Sequence, residues 1–288
     1  MGTPRDYKNT IVPNWCPGCG DYGIQNAISA VCAQMGWANE DITLISGIGC
    51  SSRIGGYQYC YGAHTTHGRA LPFAQGIKCA NKDTHMIVCS GDGDSYAIGL
   101  GHAMHAMKRN MDITYLVFDN QVYGLTKGQT SPASSKGFVT KTTPDGNPLT
   151  PLDAPSMAIA AGATFVAQAY AVDMKTMTEI IKTAMLHRGF SYVNIFTPCV
   201  TFNHFNTFKW YNEHLKKLED IRESYDCTSK AAALSLLAET EGLVTGILYE
   251  EEGATPFGDI VPSADVSLID HVEKPTDELF TELCREFR

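Results

Sequence analysis

Two sets of residues in this chain have the types and spacing to do chemistry, and the first is sulfur. Cys16 and Cys19 form a Cys-x2-Cys pair inside Trp15-Cys16-Pro17-Gly18-Cys19-Gly20, Cys50 follows Gly47-Ile48-Gly49, and Cys199 follows Thr197-Pro198. A Cys-x2-Cys pair in a Gly/Pro loop is a common metal clip, and zinc is the first ion to consider. Zinc sites usually pair two such clips, however, and the sequence holds no second one. Two isolated thiolates on other loops suit an iron–sulfur cubane gripped from several directions at once. Cys60, Cys227 and Cys284 are rival ligands, Cys60 foremost because it shares a Gly/Tyr-rich loop with Cys50.

The second set is oxygen and glycine. Gly91-Asp92-Gly93 runs into Asp94 and Ser95, and Asp119-Asn120 follows about 27 residues after Asp92. A carboxylate between two glycines can bind a hard cation while backbone amides approach phosphate oxygens. Magnesium takes about six oxygens and commonly shares them with phosphates. Asn120 offers a neutral amide oxygen, and the Val122 carbonyl could turn in as a third protein ligand. Alone, Gly-Asp-Gly is only a tight turn; the spacing to Asn120 makes it a candidate magnesium–diphosphate site. Lys127 follows directly, where an ammonium could reach a carboxylate or a phosphate. His64 and His67 flank Thr65-Thr66 in a polar loop, and an imidazole there could donate to diphosphate oxygens. His102 and His105 read as structural helix residues.

These groups need a frame. Asp21 is a plausible helix cap before Ile24, Ile28, Val31 and Met35, which recur at helical spacing. Phe73, Ile77 and Ala80 mark a second helix, Leu100, Met104 and Met107 a third, and Met174, Met177, Ile181 and Met185 a long fourth. Short apolar runs at 42–45, 86–89, 113–118 and 192–196 read as buried strands. The alternation predicts an α/β fold with a mostly parallel sheet and helices on both faces. Cys50, Asp92, Asn120 and Cys199 each fall within about five residues of a predicted strand's carboxyl end, the edge where such sheets gather ligands. Residues 126–155, rich in Thr, Ser, Gly and Pro, form a long aperiodic stretch of the kind that is more often functional than idle. The expected division is a cofactor-binding domain over 1–240 and a tail over 241–288 packing on that domain or on a partner.

Composition narrows the function classes. With 288 residues, 44% hydrophobic and 18% charged, the chain can bury one large α/β core or two small ones. A net charge of −9 speaks against nucleic acid, which wants a basic face. No apolar run approaches the roughly 18 residues of a membrane span. The N-terminus lacks an apolar secretory core. Ten cysteines without an export signal then imply a cytoplasmic protein with reduced thiols, and Cys32, Cys79 and Cys89 are expected to be buried.

Taken together, Trp15-Cys16-Pro17-Gly18-Cys19-Gly20, Gly49-Cys50-Ser51, His67-Gly68-Arg69, Gly91-Asp92-Gly93-Asp94 and Tyr123-Gly124-Leu125-Thr126-Lys127-Gly128-Gln129 resemble the β subunit of 2-oxoacid:ferredoxin oxidoreductases. The resemblance covers roughly residues 10 to 240. It implies thiamine diphosphate, Mg2+ and one 4Fe–4S cluster, the cluster on Cys16, Cys19, Cys50 and Cys199 and the magnesium on Asp92, Asn120 and Val122. It also implies that Ile48, Gly49, Cys50, Ser51, His67, Gly91, Gly93, Asp94, Gly124 and Leu125 surround the cofactor. The implied reaction decarboxylates a 2-oxoacid oxidatively, passing an acyl group to coenzyme A and electrons to ferredoxin. Lys127 leans the substrate towards 2-oxoglutarate, with pyruvate or indolepyruvate as alternatives and a non-redox thiamine decarboxylase as a rival class. A larger α subunit is expected to supply the catalytic Glu and the coenzyme A site, in an αβ heterodimer or its dimer.

Overall fold

The computed structural model describes residues 2–261, 267–271 and 276–286. Its frame is an eight-stranded sheet: β1 Ile42–Ser46, β2 Tyr61–His64, β3 His85–Gly91, β4 Ile113–Asp119, β5 Phe165–Tyr170, β6 Phe190–Phe196, β7 Lys216–Lys217 and β8 Val244–Glu250. The spatial order is β2-β1-β3-β4-β6-β5-β8-β7. Every pairing is parallel except β5 with β8. The helices are α1 Asp21–Met35, α2 Ala70–Ala80, α3 Leu100–Lys108, α4 Ala154–Ala161, α5 Met174–Leu186, α6 Phe208–His214, α7 Leu218–Ile221, α8 Lys230–Glu239, α9 Phe257–Ile260 and α10 Asp277–Glu286. This is the expected α/β fold, a mostly parallel sheet covered on both faces.

Strand alternation explains the two layers. Along β4, Ile113, Tyr115 and Val117 enter one core with Ala103, Met107 and Leu237, while Leu116 and Phe118 enter the other with Ile24, Ile28 and Ile181. Both faces of the central strands are apolar because both are covered, so they read as continuous hydrophobic runs. Since β1 sits between β2 and β3, the chain passes from β1 to one side and then crosses back over it to β3 on the other. That is a topological switch point, with a crevice at its carboxyl edge. Cys50 lies just past β1 and Asp92 just past β3.

Several expectations need correcting. Asp21 is the first residue of α1 rather than its cap, which is Gly20, and its carboxylate is buried against Thr197. The second helix exists, but Phe73 is exposed and Ala70, Leu71, Ala74 and Lys78 face inwards. The Lys78 ammonium is drawn in by Asp112 at 2.9 Å and by the carbonyls of Lys82 and Thr84. Cys79 consequently points outwards, whereas Cys32 and Cys89 are buried. Strands β2, β5, β7 and β8 go beyond the four that the apolar runs predict. The segment expected as a tail opens with β8, so the sheet itself runs past residue 240.

Candidate active site

The thiol set forms at the carboxyl edge of the sheet. Cys16, Cys19, Cys50 and Cys199 line one cavity of about 220 Å³, together with Trp15, Arg53, Asn120, Gly124, Lys127 and Phe202. A Cβ built on Gly124 would stand 3.5 Å from the Cys50 Sγ and 3.8 Å from the Cys199 Sγ, so any larger residue here would meet both thiols. Thr201 Oγ1 donates to the Cys16 Sγ at 3.1 Å and the Phe202 amide to the Cys199 Sγ at 3.4 Å. Burial, then Asp21 and Cys199, push the Cys50 thiol up to about 11. Burial and Asp21 likewise push Cys19 upwards. Asp21 itself is raised to about 7 by burial, and one of its carboxylate oxygens is sealed without a partner. Thiols crowded around a shared cavity are what a thiolate-binding metal group would take up, since a bound metal deprotonates its thiols outright. The four thiols therefore fit a cluster. Among the described residues, no three His, Cys, Asp or Glu side chains converge tightly enough for a single metal ion.

The rival thiols stand apart. Cys60 packs against the second core, where burial raises it to about 11, and it is not among the residues lining the cavity. Cys227 and Cys284 also lie away from it, Cys284 exposed on α10.

The oxygen set lies one strand over. Asp92 is 1% exposed; its Oδ2 accepts from Ser131 Oγ, and its carboxyl is held well above the usual range by burial and then by Asp119. Among the described residues, no side-chain cation pairs with it. A buried carboxylate of this kind fits a divalent ion, which would favour its charged form. Asn120 Oδ1 accepts from the Val122 amide at 3.1 Å, and the Asn120 carbonyl accepts from Asn203 at 3.1 Å. Asp92, Asn120 and Val122, the expected magnesium ligands, lie on the loops following β3 and β4. Gly93 is required by close packing, because a Cβ there would come within 2.2 Å of the Tyr123 ring.

Asp94 does something that spacing alone does not foretell. Its Oδ1 accepts from the His67 Nδ1 at 2.6 Å, the Gly68 amide at 2.7 Å and the Ile48 amide at 3.1 Å. It thus ties three segments together, and its Oδ2 is buried without a hydrogen-bond partner. Ser51 is buried, and Gly91 comes close enough that its Cβ would meet the Ser51 Oγ at 2.9 Å. His64 sits on β2 against Ser46 instead, and His102 and His105 lie on α3. Leu125 and Lys127 are exposed at the mouth of the cysteine cavity, with Lys127 in the left-handed region at φ 81°. Lys127 thus lines the thiol cavity, whereas the Asp92 carboxylate does not.

Sequence reasoning does not single out Ser131, Tyr123, Thr201 or Asp21 as site residues. Ser131 lies in the Thr/Ser-rich stretch marked as functional, but nothing in the spacing points to that serine.

Comparison with known proteins covers nearly the whole chain. The model for "Thiamine pyrophosphate enzyme, C-terminal TPP binding domain" matches residues 47–195, and the model for the C-terminal part of the pyruvate ferredoxin oxidoreductase beta subunit matches 199–265. The chain is 38% identical over 269 residues to 2-oxoacid:ferredoxin oxidoreductase subunit beta of Saccharolobus solfataricus, covering 90% of this chain and 88% of that one. It is 45% identical over 199 residues to 2-oxoglutarate oxidoreductase subunit KorB of Mycobacterium tuberculosis, covering 69% and 53% respectively. A chain of the solved 2-oxoglutarate:ferredoxin oxidoreductase from Magnetococcus marinus, with 2-oxoglutarate, coenzyme A and succinyl-CoA bound, superposes with a TM-score of 0.88. That match is 38% identical and covers 98% of this chain and 96% of the other.

Proposed function

The chain belongs to the β-subunit family of 2-oxoacid:ferredoxin oxidoreductases, and from that premise we propose that it serves the oxidative decarboxylation of 2-oxoglutarate to its acyl-coenzyme A. Electrons leave through a 4Fe–4S cluster to ferredoxin. The observation that carries this reading is the turn after β4. Its Asn120 and Val122 are proposed magnesium ligands, while a Cβ on its Gly124 would meet the Cys50 and Cys199 thiols. An electron relay thus abuts a diphosphate site within one short segment.

When bound, thiamine diphosphate supplies a nucleophilic carbon and an electron sink, and the cluster a one-electron path. The residues of the chain hold and orient these groups. Cys16, Cys19, Cys50 and Cys199 are the proposed cluster ligands, and Asp92, Asn120 and the Val122 carbonyl the proposed magnesium ligands. Ile48, Gly49, Ser51, His67, Gly91, Gly93, Gly124 and Leu125 are proposed to frame the cofactor, with Asp94 fixing two of the segments that do so. Lys127, at the cavity mouth, is proposed to meet a carboxylate or a phosphate.

The chain also needs its α subunit. Asp92 and Asp94 are committed to the diphosphate end, and Glu40 and Glu179 are exposed. None of these is placed to serve as a buried carboxylate beside the ring of thiamine, so the partner supplies the Glu and the coenzyme A site. Residues 241–288 are the proposed C-terminal tail, and Phe257 and Asp259 within it pack on the domain, Asp259 pairing with Arg188. Ten free cysteines fit a reducing cytoplasm. Among the described residues, no helix is long and apolar enough to cross a membrane.

The preference for 2-oxoglutarate draws on relatives named for that substrate. The test is to reconstitute both subunits and compare 2-oxoglutarate, pyruvate and indolepyruvate with coenzyme A and a viologen acceptor. Highest kcat/KM on 2-oxoglutarate is expected. A preference for pyruvate overturns the substrate assignment, and an active but colourless enzyme without labile sulfide overturns the redox one.

A further inference from the structure

We propose that Ser131 is a positioning residue that sets the denticity of Asp92, and with it the preference of the site for magnesium over calcium. The inference rests on the reading above that Asp92 holds the divalent cation. Three observations carry it. Ser131 and Asp92 are both buried, 7% and 1% exposed, so water does not compete for their contact. Ser131 Oγ donates to Asp92 Oδ2, and among the described residues no other side chain donates to this carboxylate. Ser131 is itself fixed: its amide donates to Ser134 Oγ at 2.8 Å, and that hydroxyl donates to the Gln121 carbonyl at 2.6 Å.

The last link matters because Gln121 lies between Asn120 and Val122, the other two proposed ligands. Asn147 completes the brace by donating from Nδ2 to the Ser134 carbonyl at 2.9 Å. One serine pair therefore registers the carboxylate from the β3 edge against the main chain of the β4 edge. The long Ser/Thr-rich stretch has a task here: it carries the brace.

The chemistry follows from the two lone-pair sets of a carboxylate. With Oδ2 engaged by a neutral hydroxyl, Asp92 meets a cation through its remaining oxygen, as one ligand. Magnesium is small and demands near-octahedral geometry, which single-oxygen ligands serve. Calcium takes more oxygens and accepts bidentate carboxylates readily. Removing the hydroxyl frees Oδ2 to join the coordination and relaxes the orientation, a change that penalises magnesium and spares or favours calcium.

The experiment uses the complex of both subunits, stripped of divalent ions by chelation, with radiolabelled thiamine diphosphate retention measured by equilibrium dialysis against MgCl2 or CaCl2. S131A should raise the half-saturating Mg2+ concentration by about tenfold, the usual scale for losing a group that orients a metal ligand. The half-saturating Ca2+ concentration should move less, so the Mg2+/Ca2+ preference narrows. S131T, which keeps a hydroxyl, should restore it. Iron content and thermal stability of the cation-free complex report separately on folding. Equal shifts for both ions, or no shift, overturn the proposal. Retention in wild type that needs no divalent ion overturns the reading beneath it, and the proposal with it.

Discussion

The indole Nε1 of Trp15 donates to the main-chain carbonyl of Cys50 at 2.7 Å, joining the loop of Cys16 and Cys19 to the loop that follows β1. The Trp15 ring is held edge-on by Tyr22 and Tyr57, and Tyr57 in turn donates to Asn14 at 2.6 Å. Trp15 thus ties together the two loops that carry three of the candidate cluster ligands. Trp15→Phe keeps the aromatic packing but deletes the donor, at a cost of about 1 kcal/mol. Denaturant unfolding should show that loss, and iron should leave the protein faster in air. Unchanged iron loss would mean that the tie does not organise the ligands.

Ligand identity is tested by serine scanning. Cys16→Ser, Cys19→Ser, Cys50→Ser and Cys199→Ser should each lower iron and sulfide content and abolish dye reduction. Cys60→Ser should leave both intact, since Cys60 packs against the core and does not line the cavity. Iron lost with Cys60→Ser but kept with Cys199→Ser would redraw the set.

Asp92→Ala removes the anionic member of the proposed magnesium set, and thiamine diphosphate and Mg2+ should both bind far more weakly. Asn120→Ala should cost less, because water can replace a neutral oxygen. Calorimetric titration of the two variants ranks them; equal affinity in Asp92→Ala and wild type would move the site elsewhere.

Asp94 accepts three donors on one oxygen, so Asp94→Ala leaves the His67 imidazole and two amides short of a partner. The expected destabilisation is about 2–4 kcal/mol, with Asp94→Asn milder because it keeps an acceptor. Gly47→Ala tests the same knot from the other side, as its Cβ would fall 1.8 Å from the Asp94 Oδ2. Both Asp94→Ala and Gly47→Ala should lower the thermal midpoint, and a neutral Gly47→Ala would show that this loop is looser than drawn.

The cation-free protein should lose stability as pH rises. Burial pushes Asp119 from its ordinary 3.8 up to about 6, and raises Asp92 as well. Between those pH values the folded chain keeps protons that the unfolded chain has released. This contribution is complete below about pH 4 and declines as pH climbs through about 6. Denaturation in the presence of a chelator should show the decline. Asp119→Asn should flatten it, and an equally steep curve in that variant would point to other groups.

Much of the site is legible in the sequence because its residues sit at strand ends. Runs such as Met86 to Cys89 and Ile113 to Phe118 are apolar on both faces, stop at polar or glycine residues, and so announce buried parallel strands with their carboxyl edge. Strands that break this pattern escape notice. β5 carries Gln168, which is buried but donates to the carbonyls of Gly242 and Val244. β2 lies at the sheet edge with exposed Tyr61, and β8 is interrupted by Gly246 at φ 142°. The face of α2 is misjudged from spacing because a partly buried ion pair, Lys78 with Asp112, overrides the apolar pattern. Ser131 escapes for a different reason. A serine hydroxyl becomes informative only once a distant carboxylate is placed against it, and the two are 39 residues apart.

The turn from Asn120 to Lys127 gives the protein an unusual sensitivity to length. Asn120, Gly124 and Lys127 line the thiol cavity, Asn120 and Val122 are also proposed magnesium ligands, and the Tyr123 amide closes the turn on the Gln129 carbonyl at 2.9 Å. Inserting or deleting one residue here would shift both centres in a single genetic event. Neither proposed site could then drift independently along this stretch, so variation at this edge would come from point substitutions or from the loops outside it.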